Sequence, residues 1–401
     1  MTGQALAGLR VVDISNGLSG GYCTKLLAGL GAEVLKVEPP GVGDVTRAAG
    51  PFPNDAPDPN ASGLYFHLGG GKRSLTLDVH TDGGQAILRR LLADADVLVE
   101  SERPGTLAAW GLTGAVLAAE HPRLIVTSIT WFGQDGPYRD LEGSELASWA
   151  LGGYLMLTGT PEREPLKGWG SLAQYQGGVQ GAVGTMAAVQ ARASTGRGQR
   201  VDVSITEALS FMLGGVPQAW YFRRHDVRRV GARLLGLPPH AFYPSTTRPC
   251  KDGWVHVHTN TRHPDLLATL MEEPRLADPE VLESPAGHAD EMDALMDRWL
   301  ADYTRDEVVA RSQEMRIPNT AVKTPAEVFA DPHLRARDYF VAVEQPAVGT
   351  VEQPGPPFRM EATPWQTQPA PLLGADTHAI LVERLGYTPE DVARLRERGV
   401  I

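Results

Sequence analysis

Leu9-Arg-Val-Val-Asp-Ile14 is a short apolar run, the turn Gly17-Leu-Ser-Gly-Gly21 follows it, Cys23, Leu26, Leu27 and Leu30 fall at helical spacing, and Glu33-Val-Leu-Lys-Val37 is β-rich again. A buried strand, a glycine turn into a helix and a second strand are how a parallel crossover unit is written. Pro39 and Pro40 end the second strand, since proline brings no N–H to a ladder. The pattern then repeats. Ser74-Leu-Thr-Leu-Asp78 reads as a strand, Ile87, Leu88, Leu91 and Leu92 as one face of a helix, Asp96-Val-Leu-Val99 as a strand, Ala115 to Glu120 as a helix and Leu124-Ile-Val-Thr-Ser-Ile129 as a strand. The expected fold class is α/β around a parallel sheet.

Further along, Leu146 to Arg192 is rich in Gly and Ala, with Gly177, Gly178, Gly181 and Gly184 at spacings of three and four. Such spacing lets helices approach closely, so a tightly packed internal helix is expected. Arg197 to Ser204 reads as a turn and strand, followed by a helix near Glu207–Leu213. Five arginines and a histidine between Arg223 and Arg233 suggest an exposed linker or an inter-subunit surface. From about 240 to 330 the texture changes: Gly253-Trp-Val-His-Val-His258 alternates like an antiparallel strand, and Leu266–Met271 and Asp290–Leu300 follow as acidic helices. This segment reads as a smaller α+β domain. The Pro-rich run Gln345 to Pro371 is expected to wander, and Thr377–Leu385 with Pro389–Arg398 to form a final helical hairpin.

Composition narrows the function classes. The 401 residues are 42% hydrophobic and 21% charged, enough to bury proper cores in two or three domains. A net charge of −11 and the lack of a Lys/Arg-rich run argue against nucleic acid. Cys23 and Cys250 are too far apart in sequence for a disulfide framework or a clustered zinc site. The N-terminus lacks the basic and apolar regions of a signal peptide. The most apolar stretch, Leu146 to Leu157, is too short to span a bilayer, so a cytoplasmic protein without membrane partners is expected.

Several segments carry candidate chemistry. Gly17-x-x-Gly20-Gly21 opens a helix and Glu38 closes the second strand, which is half of a dinucleotide fingerprint; an ordinary βα turn is the better reading. Gly69-Gly-Gly-Lys72-Arg73-Ser74 suits a loop that wraps a phosphate, and Gly43-Asp44-Val-Thr-Arg47 adds a cation. His256 and His258 share a strand face, with His263 as a conceivable third ligand, yet no metal site is expected. Cys23 reads as a small buried residue. No G-x-S-x-G elbow or H-E-x-x-H motif is present.

In order, Leu9–Ile14, Leu26-Leu-Ala-Gly-Leu-Gly-Ala-Glu-Val-Leu-Lys-Val-Glu38, Gly43–Arg47, Lys72–Asp78, Ala95–Glu100, Arg103-Pro-Gly105, His121–Ile125, Gly133-Gln-Asp-Gly-Pro-Tyr138, Thr195–Ser204, Pro371–Gly374 and Leu385-Gly-Tyr387 resemble the family III CoA-transferases, the CaiB/BaiF family. The resemblance runs from residue 8 to the C-terminus. It implies a Rossmann-like large domain made from both chain ends (1–224 and 331–401), a small domain at 225–330, and an interlocked homodimer. It also implies a coenzyme A thioester as substrate, with no tightly bound cofactor. In the transferases a carboxylate attacks the thioester to form a mixed anhydride, and the acyl group moves on through an enzyme-bound thioester.

By the same resemblance the nucleophilic Asp of the family falls on Gln174, and an amide cannot form the anhydride. A neighbouring acid falls on Glu145, while the His of the racemase branch falls on Ser144. The CoA-contact positions fall on Leu18, Lys36, Arg47, Gly70, Gly71, Lys72, Arg73 and Arg103; Leu18, Ser101-Glu102 and Ala109 depart from the family's usual Gln, Asn-Phe and Arg. Glu145 is a candidate general base or nucleophile, or else a structural acid paired with an arginine, and Gln174 a candidate for orienting the acyl carbonyl or stabilising an oxyanion. Three readings follow: a CoA-thioester enzyme with altered chemistry, a repurposed lyase, epimerase or cyclase that does not use CoA, and a non-catalytic partner of an active paralogue.

Overall fold

The computed structural model describes residues 3–224, 226–233, 243–258 and 265–401. Six parallel strands form the main sheet: β1 (Arg10–Asp13), β2 (Glu33–Glu38), β3 (Lys72–Thr76), β4 (Val97–Glu100), β5 (Ile125–Thr130) and β6 (Arg200–Ser204). Their order is β3-β2-β1-β4-β5-β6, the doubly wound order of a Rossmann-like domain. Val11, Val12, Val34, Leu35, Val97, Leu98 and Ile125 are almost fully buried, as expected where crossover helices cover both faces of a sheet.

The helices that matter for the site are α1 (Leu18–Gly29), α2 (Gly63–Gly69), α3 (Asp82–Leu92), α4 (Thr106–Ala109), α5 (Gly114–Glu120), α6 (Glu145–Leu151), α7 (Leu172–Thr195), α8 (Ile205–Ser210) and α9 (Val216–Arg223). The Gly/Ala-rich stretch is the 24-residue α7. A Cβ on Gly178 would lie 2.7 Å from the Ser19 carbonyl oxygen, and one on Gly181 2.6 Å from Ile129 Cδ1. Bare backbone at these positions lets α7 lie against α1 and β5.

Two compact units emerge, and neither is one continuous stretch. The larger comprises Met1–Gly152, Trp169–Met212 and Pro332–Ile401; the second comprises Gly153–Gly168 and Leu213–Asp331. The segments 153–168 and 213–224, both expected with the large domain, therefore group with the second unit. Ile380, Leu381, Val392, Val400 and Ile401 from the chain's end join Leu75, Leu88, Leu91 and Leu98 in one apolar cluster of the larger unit. In the second unit Ser245–Cys250, Gly253–His258 and Thr320–Ala321 form an antiparallel sheet. Val255, Val257, Met292, Met296 and Leu300 fill its core.

Two expectations need correction. The segment 345–371 does not simply wander: Phe340–Gln345 and Gly349–Pro354 form an antiparallel hairpin, turning at Gly349 with φ of +79°. The Val341–Val343 alternation carries that signal, obscured by the prolines around it. The third strand also begins at Lys72, so Lys72 and Arg73 belong to β3 and not to a phosphate loop.

Candidate active site

A cavity of about 310 Å³ opens where the chain leaves the carboxyl ends of β1, β4 and β5. β1 leads out to β2 on one side of the sheet, while β4 lies on the other, so the cavity sits at the topological switch point, where α/β sheets bind ligands. Leu18, Ser19 and Gly20 reach it from the first turn of α1, Ser101 and Arg103 from the loop after β4, Thr130 from the end of β5, and Gln174 from the first turn of α7. The Ser19 and Thr130 hydroxyls are buried without a hydrogen-bond partner. Two unpaired buried hydroxyls in one cavity are what a site for a polar ligand leaves open. Neither was singled out from sequence, although Thr130 closes a parallel strand and Ser19 sits inside the Gly17–Gly21 turn.

Glu145 and Gln174 come together. Glu145 opens α6, and its carboxylate accepts hydrogen bonds from the Trp149 indole (3.0 Å), the Ala173 N–H (2.8 Å) and the Gln174 N–H (3.2 Å). The Gln174 amide nitrogen lies 3.5 Å from the same carboxylate. Ser171 at the start of α7 makes no side-chain cap, so Glu145 supplies from another helix the acceptor that the first turn of α7 lacks. The structural partner of this acid is a helix terminus and not an arginine.

The cations read as phosphate contacts are placed differently. Lys36 is 2% exposed, donates to the Ser15 carbonyl, and pairs with Asp44 (2.9 Å) and Asp13 (3.4 Å). Lys72, 6% exposed, donates to Thr24 Oγ1 (2.7 Å) and the Gly21 carbonyl (2.9 Å) and faces Asp13 at 3.4 Å. Burial alone would raise the Asp13 carboxyl, but Lys36 and Lys72, with Ser15 and Thr24, hold it below the usual carboxylate range. Arg47 is fully buried, grips both Glu38 oxygens (2.6 and 2.9 Å) and lies over the Tyr65 ring. Glu38 also accepts from Ser74 and from the Asp44 N–H, which occupies the acid that a ribose would need.

Lys36, Arg47 and Lys72 are thus interior ion pairs, corrected from phosphate ligands. The reason is strand alternation: Lys72 and Ser74 point to one face of β3, under α1, and Arg73 to the other. Arg73 pairs with Asp376 (3.0 Å) and Glu33 (3.8 Å). Gly70 and Gly71 also lie away from the cavity, against the chain at Gln368 and Pro369; the Gly71 N–H donates to the Pro369 carbonyl at 3.0 Å. Of the eight expected CoA contacts only Leu18 and Arg103 line the cavity, where Arg139 joins them. Arg103 pairs with Glu142 and Arg139 with Asp140.

Burial, with Asp13 nearby, pushes the Cys23 thiol up to about 12, so it is no nucleophile. The His256 and His258 rings stack at 6.0 Å, and His263 lies outside the described residues. No group of three His, Cys, Asp or Glu suited to a metal ion occurs among the described residues. No helix among them is long and apolar enough to cross a membrane.

Comparison with known proteins adds a second kind of observation. A family model described as CoA-transferase family III matches residues 6–377. The succinyl-CoA–L-malate CoA-transferase alpha subunit of Chloroflexus aurantiacus is 34% identical over 100% of this chain and 94% of its own length. The formyl-CoA:oxalate CoA-transferase of Rhodopseudomonas palustris is 32% identical, covering 99% and 97%. A crystal structure of a CaiB/BaiF family protein from Brucella suis superposes with a TM-score of 0.83 at 29% identity, covering 95% of this chain and 99% of that one.

Proposed function

Because the chain belongs to CoA-transferase family III, and is a transferase by that membership, we propose that it binds an acyl-CoA or related acyl thioester in the switch-point cavity and that its chemistry is altered at Gln174. The observation that carries this is the convergence of Gln174 with the unpaired Ser19 and Thr130 hydroxyls on one cavity. All three are donors, suited to a thioester carbonyl whose oxygen gains charge when attacked. With an amide at Gln174 in place of the family's nucleophilic carboxylate, the acceptor's own carboxylate attacks the thioester. Its oxygen bonds to the acyl carbon, the C–S bond breaks, and CoA leaves as thiolate; the thiolate then attacks the acceptor's carbonyl and releases the donor acid. Arg103 and Arg139 at the cavity receive a small carboxylate acceptor by exchanging their partners Glu142 and Asp140 for it, in keeping with the malate and oxalate enzymes among its relatives.

Glu145 acts here as a positioning residue, in place of the general base the sequence suggested. Both its oxygens already accept hydrogen bonds, and its effect on the site runs through the first turn of α7. A homodimer is part of the proposal. Phe211 is 82% exposed in the larger unit and Phe222 76% exposed in the second, apolar surface that a partner chain would cover.

Isothermal titration with CoA and acetyl-CoA tests the reading. Heat is expected below millimolar concentration, and it should fall on Gln174→Ala. No heat at millimolar ligand would remove the thioester reading and favour the alternative in which the fold serves a substrate without CoA. One observation already leans that way: Lys36, Arg47 and Lys72 are committed to interior acids.

A further inference from the structure

Three arginines from separate parts of the chain, Arg103 after β4, Arg139 after β5 and Arg200 at the start of β6, line a second cavity of about 210 Å³. Arg103 and Arg139 also line the switch-point cavity, so the two spaces meet at these side chains. Both are engaged in solvent-exposed pairs, with Glu142 and Asp140, which cost little to exchange. The Arg200 guanidinium has no hydrogen bond or ion pair among the described residues. Gln134 shares the cavity. Its backbone N–H is held by Asp202 of β6 at 2.9 Å, while its side-chain Nε2 is buried with no hydrogen-bond partner. A donor shut away from water costs free energy unless a ligand meets it. Leu112 and Leu117, 2% and 5% exposed, form an apolar wall that strengthens charge pairing inside.

A third cavity, of about 250 Å³, meets the switch-point cavity at Asn16 and Glu102 and has the opposite character. Asp44, Asp78, Glu102 and His80 line it, with no Lys or Arg among its described lining residues. An anion extending from the switch point is therefore drawn towards Arg200. We propose that the arginine-lined cavity is an oxyanion subsite, in which Arg200 and Gln134 Nε2 hold the far anionic group of a substrate whose reacting end lies at Gln174; this rests on the switch-point cavity being the place of acyl transfer. Arg103 and Arg139, common to both cavities, stand between the two ends. Carboxylate and phosphate share the required chemistry, since each accepts several N–H groups at once from guanidinium and amide. The far group is then the second carboxylate of a dicarboxylic acceptor or a phosphate of CoA. Glu100 is the one acid lining this cavity among the described residues, and burial pushes its carboxyl up to about 7, so at pH 6 it is largely uncharged and does not repel the anion.

Isothermal titration at pH 6 of wild type, Arg200→Gln and Gln134→Leu with two pairs of ligands tests the subsite. Succinate and butyrate differ by one carboxylate; acetyl-CoA and S-acetylpantetheine share the thioester and differ by the phosphates and adenosine. With a second carboxylate as occupant, wild type binds succinate about tenfold tighter than butyrate, and both variants remove that advantage while butyrate is unchanged. With a CoA phosphate as occupant, the variants weaken acetyl-CoA about tenfold and leave S-acetylpantetheine unchanged. Either pattern supports the subsite and tells the two sources apart. Equal weakening of both members of a pair marks a merely structural role and overturns the proposal, as does wild-type affinity that neither variant changes or wild type that binds neither succinate nor acetyl-CoA. The succinate pattern without any acetyl-CoA heat removes the thioester reading and leaves the subsite standing.

Discussion

Glu100 shows how one buried side chain ties stability to pH. It closes β4, is 2% exposed, accepts the Glu102 N–H at 2.7 Å, and has no cation within ion-pair distance among the described residues. Burial pushes its carboxyl from an ordinary 4.5 up to about 7. The folded protein then holds a proton between these values that the unfolded chain has lost. Its stability is intact below 4.5, declines as pH rises, and carries the full penalty above 7. That penalty is about 3 kcal/mol, from 1.36 kcal/mol per unit. Glu100→Gln keeps the shape without the charge. Urea denaturation should show little gain over wild type at pH 4 and a gain of up to about 3 kcal/mol at pH 8; equal effects at both would mean that the carboxyl is not the source. Lys36 and Lys72 teach a related lesson about reading cations. Their types and spacing are visible in sequence, but whether a lysine meets a ligand or an interior Asp13 depends on whether it lies in the strand and on which face, and β3 begins at Lys72, two residues before the expected Ser74.

Among the elements, α7 was the most legible and has the least tolerance. Its Gly/Ala spacing announces close packing, and the structure shows where each glycine is needed. At Gly178 a Cβ would meet the Ser19 carbonyl oxygen at 2.7 Å and Tyr22 Cβ at 3.0 Å, and neither gives way without moving the α1 turn that lines the cavity. At Gly184 it would meet only Val201 Cγ1, a side-chain methyl, at 2.7 Å. Gly178→Ala is expected to cost about 1–3 kcal/mol and weaken thioester binding with it. Gly184→Ala recovers about 1 kcal/mol of helix propensity against its overlap and should lie near wild type. Thermal unfolding of the two variants, with titration of acetyl-CoA, separates them; equal melting temperatures would contradict the account. The strand and helix pattern of the first 130 residues was likewise legible, because period-2 and period-3.6 patterns are local. The Glu145 cap on α7 was not, because it joins a helix start to a residue 28 positions away with no local signal.

At the scale of the whole chain, sequence pattern marked a last helical hairpin but only the family resemblance suggested where it belongs. The structure places it in the core of the larger unit. Val392, Val400 and Ile401 are 4%, 6% and 7% exposed, and the Asp78 N–H after β3 donates to the Val400 carbonyl at 2.8 Å. Burying three such side chains contributes about 5–9 kcal/mol at 1.5–3 kcal/mol each. A domain's whole net stability is about 5–15 kcal/mol. The final helix, Pro389–Glu397, starts with a capping box in which Thr388 and Asp391 satisfy each other's N–H groups, so it ends the fold as a built element and not as a frayed tail. A chain ending at residue 388 would expose Ile87, Leu88 and their neighbours on that side of the sheet. Such a truncation is expected to lose the cooperative thermal transition and become protease-sensitive within the large unit, although it removes no residue of the cavity. If it instead melts within a few degrees of the full chain, the core closes without its last helix, and the larger unit does not depend on both ends of the chain.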